Sequence, residues 1–167
     1  MEEATVENWS GNNWTSSFTI SKGYANSETD IARGNCVITA YGVLIGQITE
    51  VSATRSTVVS ILDTTFSASA YVGDGGDSVT VKGDFSLMSS GLIMLDHINE
   101  DIIILPGDSV FTAGAGGVLP SGLVIGEVLE VLRHNTGIGR FATVTPMRAI
   151  DNSITNVYVI TSFDVTG

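Results

Sequence analysis

Gly34-Asn35-Cys36-Val37-Ile38-Thr39-Ala40 returns later in the chain as Gly107-Asp108-Ser109-Val110-Phe111-Thr112-Ala113. Leu44-Ile45-Gly46-Gln47-Ile48-Thr49-Glu50-Val51 returns as Val124-Ile125-Gly126-Glu127-Val128-Leu129-Glu130-Val131. The matched blocks span 34–51 and 107–131, so the second copy carries seven extra residues, all between its two blocks. Both copies read as strand, glycine-bearing turn, strand, and a repeated strand pair implies two related β modules. The extra residues give the second copy the string Gly114-Ala115-Gly116-Gly117-Val118-Leu119-Pro120-Ser121-Gly122.

Outward from the repeat, the strand signal continues. Trp14–Ile20, Asn35–Ala40, Val43–Val51, Thr57–Leu62, Ser67–Val72, Ser78–Lys82, Leu92–Leu95, Ile102–Leu105, Ser109–Ala113, Leu123–Leu132, Arg140–Thr145 and Asn156–Ser162 are short runs rich in β-branched residues. Turn residues punctuate them, as in an all-β barrel or sandwich. Residues 73–77 read as a hairpin tip. Ser27–Ile31 and Met147–Ser153 are candidates for single helical turns. Gly46 is a candidate bulge or bend. The first module is expected over 1–63, with the C-terminal strand 155–165 a candidate to complete it. The second is expected over 64–154 and contains the glycine-rich loop.

Composition narrows the function. The 167 residues are 43% hydrophobic, enough for a packed core, and only 15% charged. A net charge of −11 opposes a phosphate backbone, so nucleic acid is not an expected partner. The single cysteine, Cys36, allows no intrachain disulfide, and its neighbours Val37 and Ile38 read as core. No run approaches ~20 apolar residues, the length of a membrane-spanning helix. Met1-Glu2-Glu3 lacks the basic and apolar regions of a signal peptide.

Several chemistries are weighed and set aside. The loop 114–122 has no lysine and leads into a strand, so it does not cradle phosphate as a Walker loop does. Asp74 and Asp77 lack the ligand spacing of a calcium loop. Two separated histidines and one cysteine offer no transition-metal site, and no cofactor is expected. Gly107-Asp108-Ser109 superficially resembles a nucleophile turn, with His97 and His134 as nearest bases. His97 falls in the same module as Ser109, His134 reads as a hairpin tip, and Val110 follows the serine, so no catalytic triad is expected. Trp9 and Trp14, flanked by Asn8, Asn12 and Asn13, read as barrel-capping aromatics. A sugar-binding face is the alternative there, and a carbohydrate-binding β module is the second function considered.

Three ordered stretches carry a resemblance. Pro106–Val128 resembles the signature of the MreC family of rod shape-determining proteins: a glycine–aspartate turn, a strand ending in Thr112-Ala113-Gly114, a glycine pair, a proline and Gly122-Leu123-Val124-Ile125-Gly126. Trp14–Gly23 is similar to the family's early strand, and Gly42–Ser52 to its first glycine-centred strand. The resemblance implies two small β-barrels arranged loosely as in chymotrypsin-type proteases, without their catalysis. It implies an extracytoplasmic scaffold of the cell-wall elongation machinery, anchored by an upstream segment absent from this sequence. Implied partners are the chain itself, penicillin-binding transpeptidases, the membrane partner MreD and, indirectly, the actin-like MreB. Gly114, Gly116, Gly117, Val118, Leu119, Pro120 and Gly122 are the candidate contact loop; their other reading is a structural corner with Val118 and Leu119 tucked beneath it. The few lysines, Lys22 and Lys82, and apolar strands such as Thr155–Ile160 lead to the expectation that the core self-associates or binds partners through a strand edge or a neighbouring apolar patch.

Overall fold

The computed structural model describes residues 1–11, 15–73, 78–114, 119–134 and 139–162. Its strands are β1 (Glu2–Gly11), β2 (Ser16–Ile20), β3 (Cys36–Ile38), β4 (Leu44–Val51), β5 (Ser56–Ser60), β6 (Ser67–Val72), β7 (Val79–Lys82), β8 (Ile93–Ile98), β9 (Ser109–Thr112), β10 (Val124–Arg133), β11 (Arg140–Pro146) and β12 (Asn156–Ile160). They close into two all-antiparallel barrels of six strands, ordered β1-β12-β3-β4-β5-β2 and β10-β11-β8-β7-β6-β9. The chain's last strand lies between β1 and β3, so the first barrel is built from both ends of the chain.

The repeat is structural to the register. Cys36 faces Gln47 and Val37 faces Gly46; in the second barrel Ser109 faces Glu127 and Val110 faces Gly126. A register shift follows in both copies, before Leu44 and Val124. The next strand repeats the match: Gly46 faces Ser60 and Gly126 faces Pro146, with bulges at Ile48/Glu50 and Val128/Glu130. The glycines at these sites are required by close approach. A Cβ at Gly46 would lie 2.2 Å from Val59 O, and one at Gly126 2.1 Å from Thr145 O. A bulge sharpens the bend of a strand, and two bent strands meeting at a glycine let a small barrel close.

Alternation decides which face is buried. On β5, Ser56, Val58 and Ser60 point inward, and on β7 Val79 and Val81 do. One cluster, centred on Phe18, Ile20, Val37, Ile45, Ile48, Val58, Val157 and Val159, fills the first barrel. The other fills the second barrel and also takes in Cys36, Ile38, Leu44, Ile61 and Leu62 from the first. The outward face of β3 and β4 is therefore buried against the neighbouring barrel. The two barrels share an apolar core where they meet.

Five expectations need correction. Ile102–Leu105 joins no ladder. Neither Ser27–Ile31 nor Met147–Ser153 forms a helical turn; both are turns and bends, and the one helix among the described residues is Phe85–Met88, capped by Asp84. Glu2–Gly11, for which no strand is expected, is a ten-residue strand, hidden in the sequence because only Glu2 and Ala4 are buried at its start. The open edge expected at Thr155–Ile160 does not exist, because β12 has β1 on one side and β3 on the other.

Candidate interaction surface

The two turns of the repeat meet at the barrel junction. Thr39, just past β3, and Thr112, the last residue of β9, are equivalent residues of the repeat. Thr39 N–H donates to Val43 O (2.9 Å), and Thr112 N–H donates to Leu123 O (2.9 Å). Gly42 and Gly122 close these corners at φ +80° and +86°, conformations that glycine adopts without strain. Val43 bridges to Val124 in parallel, and Val124 N–H donates to Gly42 O at 3.1 Å. One twin corner thus hydrogen-bonds the strand that leaves the other.

In the glycine-rich loop, Thr112 is fully buried. Its Oγ1 donates to Pro120 O at 2.6 Å and accepts from Leu123 N–H at 2.9 Å. Leu119 is buried in the second core. Gly114 takes φ +70° beside Ser121, and Gly122 is exposed at the corner. Gly116, Gly117 and Val118 lie outside the described residues, as does Trp14. Among the described members, the structure therefore places Leu119 inside the protein and Gly122 at the surface.

Beside the junction lies a cleft of about 510 Å³ between the corner Thr39–Val43 and the segment Met147–Asn156. Ala40, Tyr41, Val43, Met147 and Ile154 make it mostly apolar. Tyr41 is 91% exposed at its rim and Met147 46%. Arg148 stands at one wall, its guanidinium donating to Ala149 O and Ser153 Oγ, both at 2.7 Å. Tyr41 and Met147 escape a reading by residue type, since each is a lone apolar residue in a turn; their link appears only when the barrels pack.

The titratable groups form structural pairs. Asp96 accepts from His97 N–H and pairs with Lys82 (3.1 Å) and His134 Nε2 (3.4 Å). Burial raises the Asp96 carboxyl, but the hydrogen bonds from His97, Lys82 and His134 outweigh it and hold it below the usual range. The His134 ring packs on Phe141 at 4.9 Å. Among the described residues, neither histidine ring hydrogen-bonds a serine hydroxyl, and no group of three His, Cys, Asp or Glu is placed to hold a metal. Asp108 Oδ2 instead accepts from Leu105 N–H, bracing the turn before Ser109. Cys36 is buried, and that burial pushes its thiol up to about 11. Trp9 packs on Phe18 at 4.7 Å and is partly buried against the first core.

Glu2 is a buried carboxylate that composition does not reveal. Its Oε1 accepts from Glu28 N–H (2.7 Å), Thr29 N–H (2.9 Å) and Thr29 Oγ1 (3.2 Å), and Lys22 lies 3.8 Å from Oε2. Burial acts to raise its carboxyl, yet these bonds together hold it below the ordinary value. This side chain helps fasten the loop between β2 and β3 to β1, alongside the Ser21–Thr5 bonds.

Comparison with known proteins agrees with this geometry. Residues 6–161 match the family model "Rod shape-determining protein MreC, barrel core". The cell shape-determining protein MreC of Geobacillus stearothermophilus is 29% identical over 177 residues, covering 97% of this chain. The chain spans 57% of that relative's length. The structure of MreC from Listeria monocytogenes superposes with a TM-score of 0.80 at 26% identity, covering 99% of this chain and 77% of that one. A complex between penicillin-binding protein PBP2 and MreC from Helicobacter pylori shares the fold, with a TM-score of 0.73 at 15% identity over 98% of this chain and 99% of that one.

Proposed function

The chain belongs to the family of rod shape-determining protein MreC, whose members are structural proteins and not enzymes, and from that premise we propose that it is a scaffold of the bacterial cell-wall elongation machinery. In this reading it works outside the cytoplasm and organises peptidoglycan synthesis through protein–protein contacts. The carrying observation is the match of a shape-determining barrel core to 6–161, nearly the whole chain. The shared apolar core supports the reading, because a scaffold must present its surfaces at a fixed mutual orientation.

A penicillin-binding transpeptidase is the proposed partner of this core, supported by the Helicobacter pylori relative solved with one. Contacts with MreD, indirect coupling to MreB and self-association belong to the same proposal. For the glycine-rich loop we assign the base, with Leu119 in the core, to structure. Its apex is the proposed contact. The test is a binding titration of the purified chain against the ectodomain of the elongation transpeptidase from the same cell. A saturable complex is the expected result. No complex at protein concentrations up to ~100 µM, well above the range of specific interfaces, overturns the partner assignment.

A further inference from the structure

Nine large apolar side chains stand exposed among the described residues; Leu129 and Leu132 are on β10, and Ile103 and Leu105 are in the segment that leads to β9. Their proximity follows from the hydrogen bonds. The ladder between β10 and β9 ends with Glu127 opposite Ser109, Gly107 N–H donating to Val128 O and Val128 N–H to Asp108 O. From Leu129 to Arg133, β10 pairs only with β11 among the described residues. Residues 102–107 run back past that stretch, pinned at both ends. Arg140, which faces Arg133 across the β10–β11 ladder, donates to Ile102 O at 2.7 Å, while Gly107 holds Val128.

Between those pins the segment alternates as a strand does. Ile104 is buried in the core, while Ile103 is 84% exposed and Leu105 59%. The backbone N–H and C=O groups of Ile103 and Ile104 hydrogen-bond no described residue. A strand-like segment with unpaired backbone and outward apolar side chains is a template for another strand. The surroundings are acidic: Glu100, Asp101, Asp108, Glu127 and Glu130, against Arg133 and Arg140, which already pair with Glu100.

The geometry points to strand addition at Ile103–Ile104 by an extended segment of a partner protein that alternates apolar and basic residues. Its backbone takes the groups of Ile103 and Ile104 that bond no described residue. Its apolar side chains lie on Leu105 and Leu129, and its cations face Glu127 and Glu130. A second copy of this chain is the wrong occupant, since its net charge of −11 would meet its own acidic face. The inference rests on the scaffold reading, for it names the surface at which a wall-synthesis partner is held.

Two measurements test it. The first uses an alternating Lys–Val octapeptide as probe, with Glu–Val as its counterpart, followed by backbone amide NMR. Shifts and slowed exchange at Ile103 and Ile104 are expected with the basic peptide alone, weakening as salt rises. Ile103→Asp with Leu129→Asp should reduce binding roughly tenfold or more, since a charge then faces an apolar contact. Glu127→Lys with Glu130→Lys should weaken it without touching the apolar patch. All four positions are exposed, so thermal unfolding should be nearly unchanged and certifies the variants as folded. No binding at ~1 mM, a regime of very weak association, or shifts confined to the Tyr41–Met147 cleft overturn the proposal. The second measurement titrates the transpeptidase ectodomain against the same variants. Equal binding by wild type and variants refutes this surface and leaves the scaffold reading standing. Failure of wild type to bind refutes the partner assignment, and the peptide result then decides the surface by itself.

Discussion

Substituting Gly126 by alanine should destabilise the second barrel and be seen by Trp9 of the first. The added Cβ would meet Thr145 O at 2.1 Å, Thr145 C at 2.9 Å and Pro146 Cα at 3.0 Å. All three are backbone atoms of the paired strand, so no side-chain rotation relieves the clash. Ordinary contact begins near 3.4 Å, so β10 and β11 have to part locally by about 1.3 Å. That separation weakens one or two ladder bonds at about 1 kcal/mol each, and the residual overpacking adds about 1–2 kcal/mol. The expected loss is about 3 kcal/mol. With a urea m-value of about 2 kcal/mol/M, the midpoint falls by about 1.5 M.

Both tryptophans of the chain, Trp9 and Trp14, precede β2, whereas circular dichroism reports every strand. The shared core joins Cys36, Ile38, Leu44, Ile61 and Leu62 to the second barrel, so the two barrels should unfold together. Fluorescence and circular dichroism should therefore give one midpoint, equally displaced by Gly126→Ala. Gly46→Ala, with its Cβ 2.2 Å from Val59 O, should cost about as much, because the register around it is the same. Glu127→Ala, exposed and next in the chain, should fall within about 0.5 kcal/mol of wild type. A fluorescence midpoint left unmoved by Gly126→Ala would refute the shared-core argument. A loss below about 1 kcal/mol in circular dichroism would refute the steric one.

Thr112→Val should cost about 1–3 kcal/mol in urea unfolding, because it strips a buried hydroxyl of one bond given to Pro120 O and one received from Leu123 N–H. The Glu2 carboxyl titrates lower in the folded protein than its ordinary value of 4.5, so its stabilising contribution is present above that pH and is lost as pH falls through the folded value. The stability difference between wild type and Glu2→Gln should accordingly shrink below about pH 4.5, measured by urea titrations across pH. Cys36, with its thiol near 11, should resist aromatic disulfide reagents at pH 8 and react only at the rate of global unfolding. Rapid labelling of the native protein would contradict its burial.

Much of the barrel architecture was legible because its two halves share a pattern. The glycines at 46 and 126 sit in apolar strands where propensity disfavours them, and only a close backbone approach gives them a purpose. The corners at Thr39–Gly42 and Thr112–Gly122 likewise carry matched residues for matched bonds. β1 was not legible. Its inward positions hold a glutamate and an alanine, and the buried glutamate is tolerable only because Glu28, Thr29 and Lys22 arrive from elsewhere. Ile102–Leu105 misleads in the other direction: it has the side-chain alternation of a strand and no strand partner among the described residues. Local pattern reports which face is buried and is silent on whether a neighbour stands within hydrogen-bonding reach.

The order of the strands explains why closure of the barrels does not leave the surface inert. Read around the barrels from their shared units, β3-β4-β5-β2-β1-β12 and β9-β10-β11-β8-β7-β6 are the same circuit. In the second barrel that circuit is a continuous run of chain, β6 to β11. In the first it is interrupted, and the sixth place is filled by β12 only after the second barrel is complete. The first barrel is thereby sealed by chain that has passed through the second, which ties their folding together. Closure also uses up the edge at Thr155–Ile160, and Lys22 and Lys82 pair with Glu2 and Asp96 instead of guarding an edge. Past Val128, β10 pairs only with β11 among the described residues, because β9 is four residues long and β10 is ten. The strand-length mismatch, and not an incomplete barrel, is what leaves room beside β10 for residues 102–107, the segment proposed to accept a further strand.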